Sequence, residues 1–89
     1  MTKVEMLEYK RFAKEGCKEN GIKVNIKDMI LLESGSGKGR LHFVGNKELY
    51  IDYVMFEDRK TGKQYQVYYG AKYYNEETCS LYCVEEYFL

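Results

Sequence analysis

Proline and tryptophan are absent from the 89 residues, and histidine occurs once, at position 42. Without proline there is no polyproline spacer and no linker-rich or low-complexity segment. A charge excess is lacking too: 14 basic and 14 acidic residues cancel. Non-specific nucleic-acid binding rests on phosphate neutralisation, so this balance argues against a nucleic-acid partner. No apolar run approaches the roughly 18 residues of a transmembrane helix, so no membrane contact is expected. Met1–Glu5 holds no apolar stretch with a small-residue cleavage site, and no signal peptide is expected there. Three cysteines are an odd number without the spacing of a disulfide framework. Reduced thiols in a cytoplasmic protein are the simplest expectation.

What is present suits one soluble domain spanning 1–89. An apolar fraction of 45% supports a core, and a chain this short has room for only one. The expected class is α+β: an N-terminal amphipathic helix packed on an antiparallel meander of four to five strands. At 100° per residue, Met6, Tyr9, Phe12, Ala13, Gly16 and Cys17 share one sector of a helix over about 3–20. Lys3, Lys10, Arg11, Lys14, Glu15 and Lys18 lie opposite, while Val4 and Leu7 fall outside the apolar sector. Gly21 after Asn20 supplies a left-handed C-cap. Gly16 is poor for helix stability, so its place in the buried sector predicts close approach to the sheet.

From Ile22 the period changes to two. Alternation predicts strands over about 22–33, 40–44, 48–57, 64–74 and 79–88. Gly35–Gly39 reads as a loose hairpin loop, Gly45-Asn46 as a turn, and Thr61-Gly62 as a second hairpin turn. Asn75-Glu76-Glu77 has the look of a helix start. Thr78–Leu89 is nonetheless rich in strand formers, so a final strand is preferred.

The candidate chemistry is sparse. Gly37-Lys38 fails as a phosphate-binding loop: Leu32 stands where the first glycine belongs, Gly39 replaces the Ser or Thr, and a strand follows. Cys17, His42, Cys79 and Cys83 match a zinc stoichiometry, but only one short-spaced pair exists among them. No thiolate–histidine pair is evident. No cofactor, metal or catalytic residue is expected, and the chain does not read as an enzyme.

Tyrosine is the unusual feature: ten residues, seven of them between Tyr50 and Tyr74. Alternation sends Tyr53, Tyr65 and Tyr69 to one sheet face, and Tyr50, Val54, Phe56, Tyr68 and Tyr74 to the other. One helix covers one face only, leaving the second face open. Tyrosine gives a large rigid contact area with a polar tip, which suits recognition. The leading expectation is therefore a non-enzymatic protein that occludes a partner protein through Tyr50, Phe56, Tyr68 and Tyr74. Its composition, though no motif, resembles that of small phage or mobile-element inhibitors of host or defence enzymes. A homodimer through the same surface is the self-complementary version. The alternative is a small-molecule or nucleotide binder, in which the Gly35–Gly39 loop brings Gly37, Lys38 and Arg40 to an anionic ligand.

Overall fold

The computed structural model describes residues 2–40, 48–70 and 75–87; for 36–40, 48–51 and 87 it describes the backbone alone. One helix, α1 (Lys3–Glu19), precedes four strands: β1 (Met29–Arg40), β2 (Glu48–Asp58), β3 (Gln64–Tyr69) and β4 (Tyr82–Tyr87). The strands form one antiparallel sheet in the order β1-β2-β3-β4. This is the expected α+β arrangement, with α1 laid against the sheet.

Local signals explain both ends of α1. The Thr2 hydroxyl caps the helix by accepting the Glu5 backbone N–H at 3.1 Å, and it donates to the Glu5 carboxylate at 3.1 Å. Gly21 follows Asn20 with φ +75°, the left-handed conformation that glycine adopts without penalty. Ala13, Gly16 and Cys17 are buried against the sheet, flanked by half-buried Tyr9 and Phe12. Gly16 does approach the sheet closely: a Cβ there would overlap Val67 Cγ1 and stand 2.8 Å from Tyr82 Cδ1.

The core lies between α1 and one face of the sheet. Val54, Phe56, Tyr65 and Val67 supply its centre, Met29 and Val24 its edge. Phe56 and Tyr65 face each other across strands with ring centroids 5.4 Å apart. Tyr82 meets Phe12 edge-to-face at 5.3 Å and Tyr69 in a tilted pair at 4.7 Å between ring centroids. Such aromatic pairs stabilise strands beyond their buried area. Much of the tyrosine content is thus structural.

Two expectations about strands change. Ile22–Asn25 is not a strand: it runs without a sheet partner into a 3₁₀ turn at Ile26–Asp28, and strand β1 begins only at Met29. Gly35–Gly39 is not a loop. These residues continue β1, where Gly35, Gly37 and Gly39 pair with Tyr53, Ile51 and Leu49. A glycine at every second position gives bulky cross-strand neighbours room, and the Tyr53 ring lies over Gly35 at 3.0 Å from where a Cβ would stand. Of the expected strand 40–44, only Arg40 lies within the described residues.

The C-terminal preference for a strand is met by β4, which starts later than expected. Asn75 begins a turn, not a helix: its carboxamide accepts from the N–H groups of Glu77 and Thr78 at 3.0 and 3.4 Å. Cys79 takes φ 53°, and Ser80 pairs back with Asn75. Asn20 ties this turn to the helix. Its amide donates to Gly16 O at 2.9 Å and Tyr82 O at 3.0 Å, and its carbonyl accepts from Asn75.

Candidate functional site

The expected tyrosine face has a different membership. Val54 pairs with Val67 and Phe56 with Tyr65, so Tyr65 and Tyr69 share the helix-covered face with Val54 and Phe56. Tyr53 pairs with Tyr68, and the two occupy the opposite face. The turn sets this parity. Asp58 O accepts from Gly62 N–H at 2.7 Å, Asp58 N–H donates to Lys63 O at 2.8 Å, and Gly62 holds φ +76°. With Asp58 opposite Lys63, the connection 59–62 has an even number of residues, and that count sets which faces of β2 and β3 coincide.

Of the four expected contact residues, Phe56 and Tyr68 have described side chains. Phe56 is fully buried in the core, because α1 covers the face on which it was expected to be open. Tyr68 lies on the far face yet is only 4% exposed. Tyr50 pairs with Lys38 along β2, its side chain outside the described set, and Tyr74 lies outside the described residues. For the alternative site, Gly37, Lys38 and Arg40 sit in extended β1 opposite Ile51, Tyr50 and Glu48. A glycine loop that closes over a ligand is absent there.

The cysteines stand apart in character. Cys17 is buried beneath α1, where burial and then the charge of Asp58 push its thiol up to about 12. A thiol held neutral in this way is a poor nucleophile. Cys79 is exposed at the tip of the 75–80 turn, and Cys83 is half-buried on β4, its thiol also raised by burial and then by Glu85. His42 lies outside the described residues. Among the described residues, no three His, Cys, Asp or Glu side chains converge as a ligand set, and no helix is long and apolar enough to cross a membrane.

The structure does expose apolar side chains, at positions the sequence reading passed over. Strand β1 is an edge strand, and on it Ile30 and Leu32 are 41% and 43% exposed while Met29 is buried and Leu31 half-buried. The signal was legible as the solid run Met29–Leu32. Along an edge strand, alternation must turn half of such a run outward. The register slips by one residue between Leu31 and Glu33, so Leu32 stands in a β-bulge. Just beyond, the Tyr53 hydroxyl donates to the Glu33 carboxylate at 3.1 Å. Burial first, then the Glu33 charge and this bond, raise the Tyr53 phenol above its ordinary value. Apolar side chains, a tyrosine and a strand edge without a ladder partner among the described residues thus adjoin one another along β1. No protein-family model, no curated protein and no solved structure matches this chain.

Proposed function

We propose that the protein is a small non-enzymatic binding protein that occludes a partner protein, with the outer edge of β1 as its docking rail. The observation that carries this reading is the pair of outward side chains, Ile30 and Leu32, on a 12-residue edge strand. Edge strands present unpaired N–H and C=O groups, and proteins normally protect them with proline, inward charge or short length. Here the strand is long, proline-free and apolar at its start. Such an edge suits strand addition, in which main-chain hydrogen bonds supply affinity and alternate side chains supply choice of partner. Inhibition of an enzyme by covering its surface is the form of action this geometry accommodates.

Native mass spectrometry of the protein purified gently from its expressing cells, followed by hydrogen exchange on any complex found, tests the proposal. A stoichiometric second protein that protects the amides of Met29–Glu33 supports it. Retention of a nucleotide or other small molecule in place of a protein overturns it, as does a partner whose protection falls elsewhere. A homodimer that protects β1 would make the partner a second copy.

A further inference from the structure

The two flanks of α1 carry opposite charge. At 100° per residue, Lys3, Lys10, Arg11, Lys14 and Lys18 gather on one side, Glu5, Glu8, Glu15 and Glu19 on the other. On the basic side, the segment from Gly21 to Asp28 leads from the end of α1 to the start of β1, and its 3₁₀ turn packs on the helix. Two grooves lie between this segment and α1. The first, about 440 Å³, is lined by Lys14, Lys18, Gly21, Ile22, Lys23 and Val24. The second, about 350 Å³, is lined by Lys3, Met6, Leu7, Lys10, Ile26 and Lys27. Of the described residues, six lysines rim the pair, no carboxylate lines either groove, and the lining between the lysines is aliphatic. Among the described residues, none of the six lysines is engaged in an ion pair.

Zero net charge conceals this segregation. Like charges gathered in one place repel one another, and water alone leaves the exposed Met6 and Leu7 side chains uncovered. A partner that brings carboxylates and apolar side chains together would relieve both costs. We infer that this seam binds an acidic, amphipathic segment of another protein, its apolar side chains in the Leu7–Ile26 and Ile22–Val24 grooves and its carboxylates on the six lysines. Nucleic acid fits less well, because single strands are held by stacking on aromatic rings and neither groove has one. A bilayer surface would reach the lysine rim but not the groove floors. The surface is distinct from β1, so the seam stands or falls independently of the docking rail.

The test is selection of a phage-displayed library of random 15-residue peptides on the full chain. Enriched peptides should combine Asp or Glu with Leu, Ile or Phe at helical spacing. Binding of a selected peptide should fall about tenfold or more on the variant Lys14→Glu/Lys18→Glu/Lys23→Glu, as expected for the loss of several charge pairs. It should weaken with salt, drop on Leu7→Ser, and be unchanged on Ile30→Lys or Glu15→Lys. The three reversed lysines are exposed, so an unchanged Tm should certify the fold; if it does not, Lys14→Ala/Lys18→Ala serves the same comparison. Peptides without acidic enrichment, or equal binding to the charge-reversed variant, would overturn the inference. So would tighter binding of a 20-nucleotide single strand or of phosphatidylserine vesicles, or salt-sensitive self-association that occupies the lysines.

Discussion

Gly16 and Val67 are so close that the helix and the sheet meet almost backbone to side chain at this point: a Cβ on residue 16 would overlap Val67 Cγ1. Gly16→Ala sets two effects against each other. Helix propensity improves by about 1 kcal/mol, while overpacking a well-filled contact costs about 1–3 kcal/mol and the Tyr82 ring at 2.8 Å leaves no easy retreat. The steric term should win, giving a net loss of about 1–2 kcal/mol in urea unfolding. In a double-mutant cycle with Val67→Ala the combined loss should be smaller than the sum of the two, since the shorter side chain makes room.

Asn20 performs a second linking role, with one side chain joined to the end of α1, to β4 and to the 75–80 turn. Asn20→Ala removes three hydrogen bonds and strands the partly buried Asn75 amide, at an expected cost of about 1–3 kcal/mol. Asn20→Asp keeps an acceptor for Asn75 but loses the donor to Gly16 O and Tyr82 O, so its loss should be comparable. Chemical denaturation of both variants reads this directly; a loss under about 0.5 kcal/mol for each would place Asn20 outside the interactions that hold β4 to the helix.

Phe56→Ala should cost about 3–5 kcal/mol, the range for truncating a buried aromatic core residue. Tyr68→Ala, also buried, should lower Tm strongly rather than act on binding alone. Near-native melting of Tyr68→Ala would mean that its ring is accessible on the outer face, where the sequence alone had placed it.

These residues also show where the sequence stops being informative. The helix, its Gly21 cap, the close approach at Gly16, the Thr61-Gly62 hairpin and the final strand were legible, because each depends on neighbours a few residues apart. Face membership was not. It turns on whether the connection after Asp58 counts an odd or an even number of residues between paired positions, which local composition does not specify. The alternation of Ile22, Val24 and Ile26 was genuine, yet none of the described strands pairs with it. Conversely, Gly35–Gly39 had loop-like composition but took strand structure from Leu49–Tyr53 of β2 across the ladder. Non-local pairing overrides local propensity in both cases.

Cys17 makes stability depend on pH in the alkaline range. Its thiol is raised from 9.0 to about 12 in the folded protein, by burial and then by Asp58. Between those values the unfolded chain has released the proton and the folded chain retains it, so unfolding is favoured as pH rises. The expected slope is a loss of about 1.4 kcal/mol per pH unit for one proton, beginning near the unfolded value. Buried tyrosines add to it above 10, since Tyr65 and Tyr82 are raised mainly by burial too. Cys17→Ala should therefore flatten the urea-midpoint profile most between pH 9 and 10. An unchanged profile would mean that the thiol reaches solvent. In the native state a thiol reagent at neutral pH should label Cys79 first and Cys17 only on unfolding.

The last prediction concerns the docking rail. Ile30 and Leu32 are each about two-fifths exposed, and neither belongs to the core cluster. Replacing each with lysine removes an outward apolar side chain from an edge strand and sets a charge there, the device by which natural sheets block strand addition. Because surface substitutions away from buried features usually stay within about 0.5 kcal/mol, Tm should hardly move. Partner affinity should fall at least tenfold, as for loss of an anchoring contact worth more than about 1.4 kcal/mol. Leu32 should matter more than Ile30, since the bulge carries it away from the ladder and leaves it free to enter a partner's pocket. The contrast with Phe56→Ala separates the two roles: one substitution removes binding from a stable fold, the other removes the fold. If Ile30→Lys and Leu32→Lys leave partner binding intact, main-chain pairing at β1 is not the mode of recognition.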